Sequence, residues 1–172
     1  MKKNNILIII DMQNDFISGV LGSSDKTTLP EKIKTFISEH DDFEMVFTKD
    51  THTQNEKSYE LSVLPIHCEK ETGGWQIVNE LKEYSTESNT IEKSSFMAGS
   101  GLSNKIREIN SEAELWMCGV CTDICVISNA FMLRREFPKA KINILSELCM
   151  GATAKAHDAA LEVMRSSLFN IV

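Results

Sequence analysis

The chain has 172 residues, of which 42% are apolar and 25% are charged, and its formal net charge is −7 at pH 7. These fractions are ordinary for a single globular domain, which we expect to span residues 1–172. The acidic balance argues against general nucleic-acid binding, which usually needs a basic face. No apolar stretch approaches the roughly 20 residues of a membrane-spanning helix, so we expect neither a nucleic acid nor a membrane as partner.

The cysteine count and the start of the chain bear on its location. Five cysteines is an odd number. The apolar run at residues 6–10 is too short for a signal peptide and lacks a small-residue cleavage site. Both features favour reduced thiols over a disulfide framework. We therefore expect a cytoplasmic protein.

Short apolar runs alternate with amphipathic stretches along the chain. In chain order the pattern predicts a strand at 6–10, a loop at 13–28, a helix at 30–39, a strand at 44–48, a loop at 51–74, a helix at 75–84, a strand at 90–92, a helix at 102–109, a strand at 115–119, a helix at 124–137, a strand at 141–145, a helix at 153–166 and a strand at 168–172. The two long loops are candidate functional segments.

The alternation of strands and helices predicts an α/β fold, a three-layer α/β/α sandwich with a parallel, Rossmann-like six-stranded sheet. Continuous apolarity, as in Leu-Ile-Ile-Ile at residues 7–10, suits strands that are covered on both faces. In such a fold the active site lies beyond the carboxyl ends of the strands.

Three reactive side chains stand near predicted strand ends. Cys125 lies in the first turn of a helix that follows a strand, where backbone N–H groups and the helix dipole favour a thiolate and can bind an oxyanion. Asp11 and Lys93 each follow a strand directly. Taken alone, Asp11 serves equally well as a turn former, and Lys93 is more readily a solvated lysine. Because parallel strand ends converge on one rim, we predict that nucleophile, base and cation meet there.

A mixed set of oxygen and nitrogen donors begins at the second long loop. Asp50 and His52 are two residues apart, so in extended chain their side chains point the same way. Glu60 and His67 follow them. Such a set suits Zn²⁺, Mn²⁺ or Fe²⁺. Since loop histidines and carboxylates are often simply solvated, the spacing leaves a metal site and a solvated loop about equally open.

The other cysteines and histidines have plainer interpretations. Cys118 and Cys121 have the spacing of a zinc knuckle or a redox pair. However, Cys118 lies within an apolar strand, where a buried cysteine acts as a small hydrophobe, and a second metal-binding pair is missing. Cys149 is expected to pack, and His40 and His157 fall on polar helix patterns that predict surface positions.

On four segments, in order, the chain resembles the isochorismatase-like cysteine hydrolase family and, within it, the nicotinamidase/pyrazinamidase-like branch. The segments are Ile9-Ile-Asp-Met-Gln-Asn-Asp-Phe16, Lys49-Asp-Thr-His52 with Leu64-Pro-Ile-His-Cys68, Glu92-Lys-Ser-Ser-Phe96 and Gly119-Val-Cys-Thr-Asp-Ile-Cys-Val126. Singly each is modest, but the ordered set is specific and spans nearly the whole chain. The family folds as a parallel sheet with helices on both faces, which agrees with the predicted elements.

The resemblance implies a cysteine amidohydrolase with a triad of Asp11, Lys93 and Cys125. Cys125 would attack the carbonyl of a small amide, first of all nicotinamide, and water would later hydrolyse the thioester. Asp11 would pass the thiol proton to the leaving ammonia, and Lys93 would hold the charges in register. The family also has a cis peptide bond that here joins Val120 to Cys121. It implies an oxyanion hole made by the N–H groups of Cys121 and Cys125.

The resemblance further implies a divalent metal beside the triad, which binds the pyridine nitrogen of the substrate, and no organic cofactor. Asp50, His52 and His67 match its ligands. Glu60 is the expected fourth ligand, with Glu56 as the alternative. The metal could be zinc, manganese or iron, because the same ligands suit all three.

For the substrate pocket the resemblance implies Gln13, Phe16, Leu64 and Val120. Leu64 lies near the place where nicotinamidases often carry a tryptophan that stacks on the substrate ring. Trp75 is the nearest tryptophan along the chain and follows two glycines, where it could begin a helix instead.

Two alternatives stay open. The same fold and triad could act on another small amide, a carbamoyl or ureido compound, in which case the metal would be absent. A thiol redox or zinc-binding module built on Cys118, Cys121 and Cys125 would leave the segments around Asp11 and Lys93 unexplained. The family commonly forms dimers or tetramers, so a homo-oligomer is a further expectation from the resemblance.

Overall fold

The computed structural model describes residues 3–172. Its centre is a six-stranded sheet in which every neighbouring pair of strands is parallel. The strands are β1 (Asn5–Ile10), β2 (Phe43–Asp50), β3 (Thr90–Lys93), β4 (Glu114–Val120), β5 (Ile142–Met150) and β6 (Asn170–Ile171). They lie in the order β3-β2-β1-β4-β5-β6. The predicted parallel α/β sheet is confirmed.

Helices connect the strands. The α-helices are α1 (Asn14–Ile17), α2 (Leu29–Glu39), α3 (Tyr59–Val63), α4 (Gly99–Asn110), α5 (Ile127–Glu136) and α6 (Ala154–Ser166). Short 3₁₀ helices lie at Ser24–Thr28, Asn79–Tyr84 and Glu87–Asn89, and a π-helical turn lies at Thr122–Val126. Within residues 3–172, no helix combines the length and the apolarity that a membrane span requires.

The central strand β1 shows that the sheet is covered on both sides. Ile6, Leu7, Ile8, Ile9 and Ile10 are all 0% exposed. Because successive side chains of a strand point to opposite faces of a sheet, neither face of β1 is open to solvent. Burial of each such side chain stabilises the fold by about 1.5–3 kcal/mol. The continuous apolar run therefore anchors the core of the three-layer sandwich.

The strand order places four strand ends side by side. β3, β2, β1 and β4 are consecutive neighbours in the sheet, and all run in the same direction. Asp50 pairs with Lys93 at the ends of β2 and β3, and Ile10 pairs with Gly119 near the ends of β1 and β4. The segments that follow these strands therefore meet at one edge of the sheet, where an α/β fold binds its ligands.

The predicted helix at 75–84 is wrong in its first half. Only the second half is helical, and there as a 3₁₀ helix. The first half pairs with the segment after β1: Gln13 and Ile77 form an antiparallel bridge, and the Val78 N–H donates to the Met12 carbonyl at 3.0 Å. These long-range bonds use backbone groups that a helix would need for itself.

Other boundaries also differ from the predicted ones. Both predicted loops contain a short helix, α1 in 13–28 and α3 in 51–74. β5 runs to Met150, beyond the predicted end at residue 145. The last strand is reduced to β6, because Leu168 before it takes a left-handed conformation with φ of 67° and leaves the strand geometry.

Candidate active site

The structure brings the three predicted catalytic residues together in the interior of the protein. Lys93 Nζ lies 2.8 Å from Asp11 Oδ2 and 3.7 Å from Cys125 Sγ. All three side chains are buried: Asp11 is 0% exposed, Lys93 6% and Cys125 5%. An acid, a cation and a thiol thus share one desolvated contact, the arrangement in which a nucleophile can exchange a proton with a base.

Asp11 is positioned by β1 and by a hydroxyl of the neighbouring strand. Its φ of 49° is in the left-handed region, which aspartate adopts more readily than most residues. The Thr48 hydroxyl of β2 donates to Asp11 Oδ1 at 2.7 Å. This bond occupies one carboxylate oxygen and leaves the other, Oδ2, for Lys93.

Cys125 stands in the π-helical turn Thr122–Val126, between β4 and α5. The peptide bond between Val120 and Cys121 is cis, as the family resemblance implies. Before it, Gly119 has φ of 115°, and a Cβ at this position would collide with the Ile10 carbonyl oxygen. Glycine is therefore required at this point of β4, next to β1 and just before the turn Thr122–Val126 that carries Cys125, which we call the nucleophile turn.

The electrostatics of the three groups favour a neutral thiol beside a base. Burial, followed by the charge of Asp11, raises the pKa of the Cys125 thiol well above its usual value, against the opposing effect of Lys93. Burial also raises the pKa of the Asp11 carboxyl, although Lys93 opposes it. Burial alone would lower the pKa of Lys93, but the charges of Asp11 and Asp50 raise it above its usual value. Desolvation of the Cys125 thiol thus opposes the thiolate that the first turn of a helix would favour.

Asn129 is a site residue that the sequence interpretation missed. It is 0% exposed, and its side-chain amide donates to the carbonyls of Cys125 at 2.8 Å and Phe96 at 2.9 Å. Its side-chain oxygen accepts the Ala98 N–H at 2.8 Å. It thus ties the nucleophile turn to the segment after Lys93. The sequence did offer a signal for this role, because Asn129 lies four residues after Cys125, one helical turn further along.

Four potential metal ligands form a compact group, which we call the four-donor cluster: Asp50, His52, Glu60 and His67. Each offers one ligand atom, and these atoms all lie within 4.8 Å of one another. Asp50 Oδ2 is 3.1 Å from His52 Nε2 and 3.4 Å from His67 Nε2. His67 Nε2 is also 3.5 Å from Glu60 Oε1. Two imidazoles and two carboxylates are a donor set that suits Zn²⁺, Mn²⁺ or Fe²⁺.

The second ring nitrogen of each histidine supports a metal site. His67 Nδ1 lies 2.8 Å from the Pro65 carbonyl oxygen, so Nδ1 carries the proton and Nε2 presents its lone pair to the cluster. That buried Nε2 has no hydrogen-bond partner among the described residues. His52 Nδ1 likewise lies 3.1 Å from Glu56 Oε1. Glu56 therefore stands behind His52 and Glu60 stands in the cluster, so the four residues fit a divalent ion.

Asp50 connects the cluster with the catalytic residues. Its Oδ2 faces the two imidazoles, and its Oδ1 lies 3.2 Å from Lys93 Nζ. Although burial alone would raise it, the hydrogen bond from His52 and the positive charge of Lys93 hold the pKa of the Asp50 carboxyl well below its usual range. The Asp50 carboxylate thus contacts Lys93 with one oxygen and belongs to the four-donor cluster with the other.

A cavity of about 160 Å³ opens beside Cys125; we call it the central cavity. It is lined by Phe16, Leu21, Lys26, Glu60, Leu64, His67, Phe96, Cys121, Ile124, Cys125 and Ala152. An apolar cavity of about 150 Å³ accommodates one benzene ring. The central cavity is therefore of the right size for one aromatic ring that reaches both the thiol and the four-donor cluster.

Two of the four predicted pocket residues do not line the central cavity. Phe16 and Leu64 do, whereas Gln13 and Val120 are 0% exposed and face elsewhere. The Gln13 side chain donates to the Asp50 carbonyl at 2.8 Å and accepts the Asp50 N–H at 2.7 Å. Gln13 thus holds the end of β2 in place, and Val120 belongs to the sheet core.

Trp75 does not enter the central cavity either. Its indole N–H donates to the Thr51 hydroxyl at 2.8 Å, and Lys49 Nζ lies 2.9 Å from the centre of its ring. The tryptophan therefore packs over Lys49 of β2 by a cation–π contact. Phe16, Leu64 and Phe96 supply the apolar walls instead.

The predictions for the remaining cysteines agree with the structure, whereas those for the remaining histidines do not. All five cysteines are free thiols, and Cys118 and Cys149 are buried in the sheet core as predicted. The prediction of surface histidines is wrong. His40 is half-buried and stacks on Phe36, and His157 is half-buried with Nδ1 2.7 Å from the Thr122 hydroxyl.

The fold and the site define an α/β protein with a buried thiol, acid and lysine at the carboxyl edge of a parallel sheet. The chain belongs to the isochorismatase family: the isochorismatase domain model matches residues 5–172. It is 32% identical over 146 residues to the uncharacterized isochorismatase family protein PncA of Bacillus subtilis, in an alignment that covers 76% of this chain and 77% of the relative.

Solved structures share the fold over the full length. The nicotinamidase/pyrazinamidase PncA from Bacillus subtilis superposes with a TM-score of 0.84 and 25% identity and covers 100% of both chains. The pyrazinamidase of Pyrococcus horikoshii, solved in complex with zinc, gives a TM-score of 0.84 at 24% identity over 98% of each chain. The latter likeness establishes the fold.

Proposed function

We propose that the protein is a cysteine amidohydrolase that converts nicotinamide to nicotinic acid and ammonia. The observation that carries the proposal is the contact of Lys93 Nζ with Asp11 and Cys125 at 2.8 and 3.7 Å. This contact lies beside a cavity for one aromatic ring. The similarity to a nicotinamidase/pyrazinamidase from Bacillus subtilis supports the choice of substrate.

The first half of the proposed reaction forms a thioester. Asp11 takes the proton from the Cys125 thiol, and the sulfur attacks the amide carbon to form a C–S bond. The N–H groups of Cys121 and Cys125 are proposed to hold the oxyanion. The C–N bond then breaks, and Asp11 returns the proton so that ammonia leaves. Lys93 keeps Asp11 oriented and offsets its charge throughout.

The second half repeats the same proton path with water. Asp11 takes a proton from a water molecule, whose oxygen attacks the thioester carbon. The C–S bond breaks, the sulfur regains that proton from Asp11, and the carboxylic acid leaves the site and loses its own proton to bulk water. Burial raises the pKa of the Cys125 thiol, which favours the neutral thiol as the starting state of the reaction.

Asp50, His52, Glu60 and His67 would hold a divalent ion at one end of the central cavity. When bound, such an ion supplies a Lewis-acid contact for the ring nitrogen of the substrate. Zinc is the first ion to test, because it is present in the pyrazinamidase from Pyrococcus horikoshii. The apolar walls Phe16 and Leu64 would orient the ring and exclude water.

Ammonia release from a panel of amides tests the proposal. The panel contains nicotinamide, a carbamoyl compound and a ureido compound, each assayed with Zn²⁺, Mn²⁺, Fe²⁺ or chelator. We expect nicotinamide to be hydrolysed in a metal-dependent way and Cys125→Ala to abolish turnover. Cys149→Ala, which removes a buried thiol of β5, is the matched control and should keep turnover per folded molecule. No ammonia from millimolar nicotinamide with metal present would refute the assignment.

A further inference from the structure

Lys26 is a buried cation that the proposed mechanism does not use. It lies in the 3₁₀ turn Ser24–Thr28 and is 4% exposed. Its Nζ is 3.4 Å from the Leu21 carbonyl oxygen and 3.5 Å from Cys121 Sγ. Across residues 3–172, none of the lysine ion pairs includes Lys26. Since a buried charge without a counter-charge is costly, the structure leaves Lys26 in need of an anionic partner.

The central cavity provides the place for that partner. Lys26 and Cys125 line the same space of about 160 Å³, so a ligand that reaches the thiol also reaches the ammonium group. A second cavity of about 280 Å³ adjoins it, and Lys26 and Ala152 line both. A substituent on a ring bound in the central cavity therefore has room to extend past Lys26.

The other charges of the site are already balanced. Asp11 and Lys93 form an ion pair at 2.8 Å. Asp50 and Glu60 belong to the four-donor cluster, where their two negative charges would offset those of a divalent ion. Lys26 is then the remaining charge on the wall of the central cavity, and its sign favours a ligand with one negative charge.

We propose that Lys26 is a specificity-determining residue that binds a carboxylate on the substrate, so that the site prefers an amide that also carries an acid group. The inference rests on the proposed amidohydrolase function and specifies its substrate class further. A charge-assisted hydrogen bond from an ammonium to a carboxylate is among the stronger polar contacts. A site built to make it prefers the acid over its neutral analogue, which leaves the lysine unpaired, so that nicotinamide is hydrolysed less efficiently than its acid-bearing derivative.

A matched pair of ligands isolates the charge. The acid is 5-carbamoylpyridine-3-carboxylic acid, which is nicotinamide with one added ring carboxylate, and its methyl ester is the neutral counterpart. The zinc-loaded protein is assayed for kcat/KM with both compounds. Dissociation constants are measured by calorimetry on the full chain carrying Cys125→Ala, so that turnover does not consume the ligand.

We expect the acid to be preferred over the ester by about 10- to 100-fold, the ratio for a hydrogen bond to a charged group. Lys26→Met, which keeps the length and removes the charge, should bring the ratio to near one. Lys26→Arg should retain a preference for the acid. The control is Lys139→Met, because Lys139 is exposed and lines neither cavity, and its ratio should equal that of the unmodified protein.

The outcomes separate this inference from the proposed function. Equal affinity of acid and ester in the unmodified protein, or an unchanged ratio in Lys26→Met, overturns the role of Lys26 and assigns it to bracing the turn at Leu21. If Lys26→Met does not fold, the acid-to-ester ratio of the unmodified protein and of Lys26→Arg still decides. If no amide is hydrolysed, the proposed function fails, while a calorimetric preference for the acid that Lys26→Met abolishes supports the anion site by itself.

Discussion

Replacement of Asp11 by asparagine separates two roles that its carboxylate combines. The carboxylate accepts and returns a proton in the proposed reaction, and its charge raises the pKa of the Cys125 thiol. The asparagine side chain would keep the shape and remove both the charge and the basic oxygen. Lys93 would retain one carboxylate partner, because Asp50 Oδ1 lies 3.2 Å from its Nζ. The substitution therefore costs less than the about 3–5 kcal/mol of a fully orphaned buried charge.

The two roles predict that Asp11→Asn lowers the rate of turnover but makes the Cys125 thiol more acidic. Loss of the base should lower kcat by about 10²–10⁴-fold, the usual contribution of a positioned proton carrier. At the same time the thiol should become more acidic, because Asp11 no longer raises its pKa while Lys93 still lowers it. Below the thiol pKa the thiolate fraction at a given pH should thus rise. We therefore expect Asp11→Asn to have a more acidic Cys125 thiol and, at the same time, a lower kcat.

Two measurements test this expectation. Ammonia release from nicotinamide gives kcat, and the pH profile of Cys125 alkylation by iodoacetamide, followed by mass spectrometry, gives the position of the thiol titration. Asp42→Asn is the control, since Asp42 accepts from the Asn5 side chain at the amino end of β1, far from the site. Turnover within about tenfold of the unmodified protein would refute the base role. An alkylation profile shifted to higher pH would refute the electrostatic argument.

Three further outcomes are expected. Glu60→Gln should weaken zinc binding more than Glu56→Gln, because Glu60 belongs to the four-donor cluster and Glu56 only orients His52. For Glu56→Gln we expect a loss of zinc affinity of about 10–100-fold. Equal losses for the two variants in competition with a chelator would contradict the assignment of Glu60 as ligand. Asn129→Ala should lower the free energy of unfolding by about 2–4 kcal/mol, since it removes buried hydrogen bonds, and should reduce kcat per folded molecule; unchanged turnover in urea-calibrated samples would argue against its positioning role. Gly119→Ala should cost about 4 kcal/mol or more, because its Cβ would meet the Ile10 carbonyl; a urea midpoint like that of the unmodified protein would contradict the steric argument.

The apolar pattern of the chain was sufficient to predict the sheet and the edge at which the site lies. A residue that follows a parallel strand must emerge at the carboxyl edge of the sheet, whichever strand it follows. Asp11 and Lys93 are placed by this rule, which requires only that each strand be recognised. It applies equally to Asp50, the last residue of β2.

The rule does not say which way a side chain turns once it has left its strand. Gln13 bonds the backbone of Asp50 instead of facing the central cavity, because the end of β2 offers it both a donor and an acceptor. Trp75 packs on Lys49 because residues 75–78 pair with the segment after β1 and form no helix. Such contacts join residues far apart in sequence, where periodicity carries no information.

The sequence by itself determined the fold class, the order of the strands along the chain and the residue types gathered at one rim, because burial of apolar side chains follows a local period. Only the tertiary structure decided that Glu60 joins the four-donor cluster while Glu56 stands behind His52. It also decided that Lys26 lies buried beside the nucleophile turn. These choices depend on how loops pack across the sheet edge, where a single contact between distant residues outweighs any local preference.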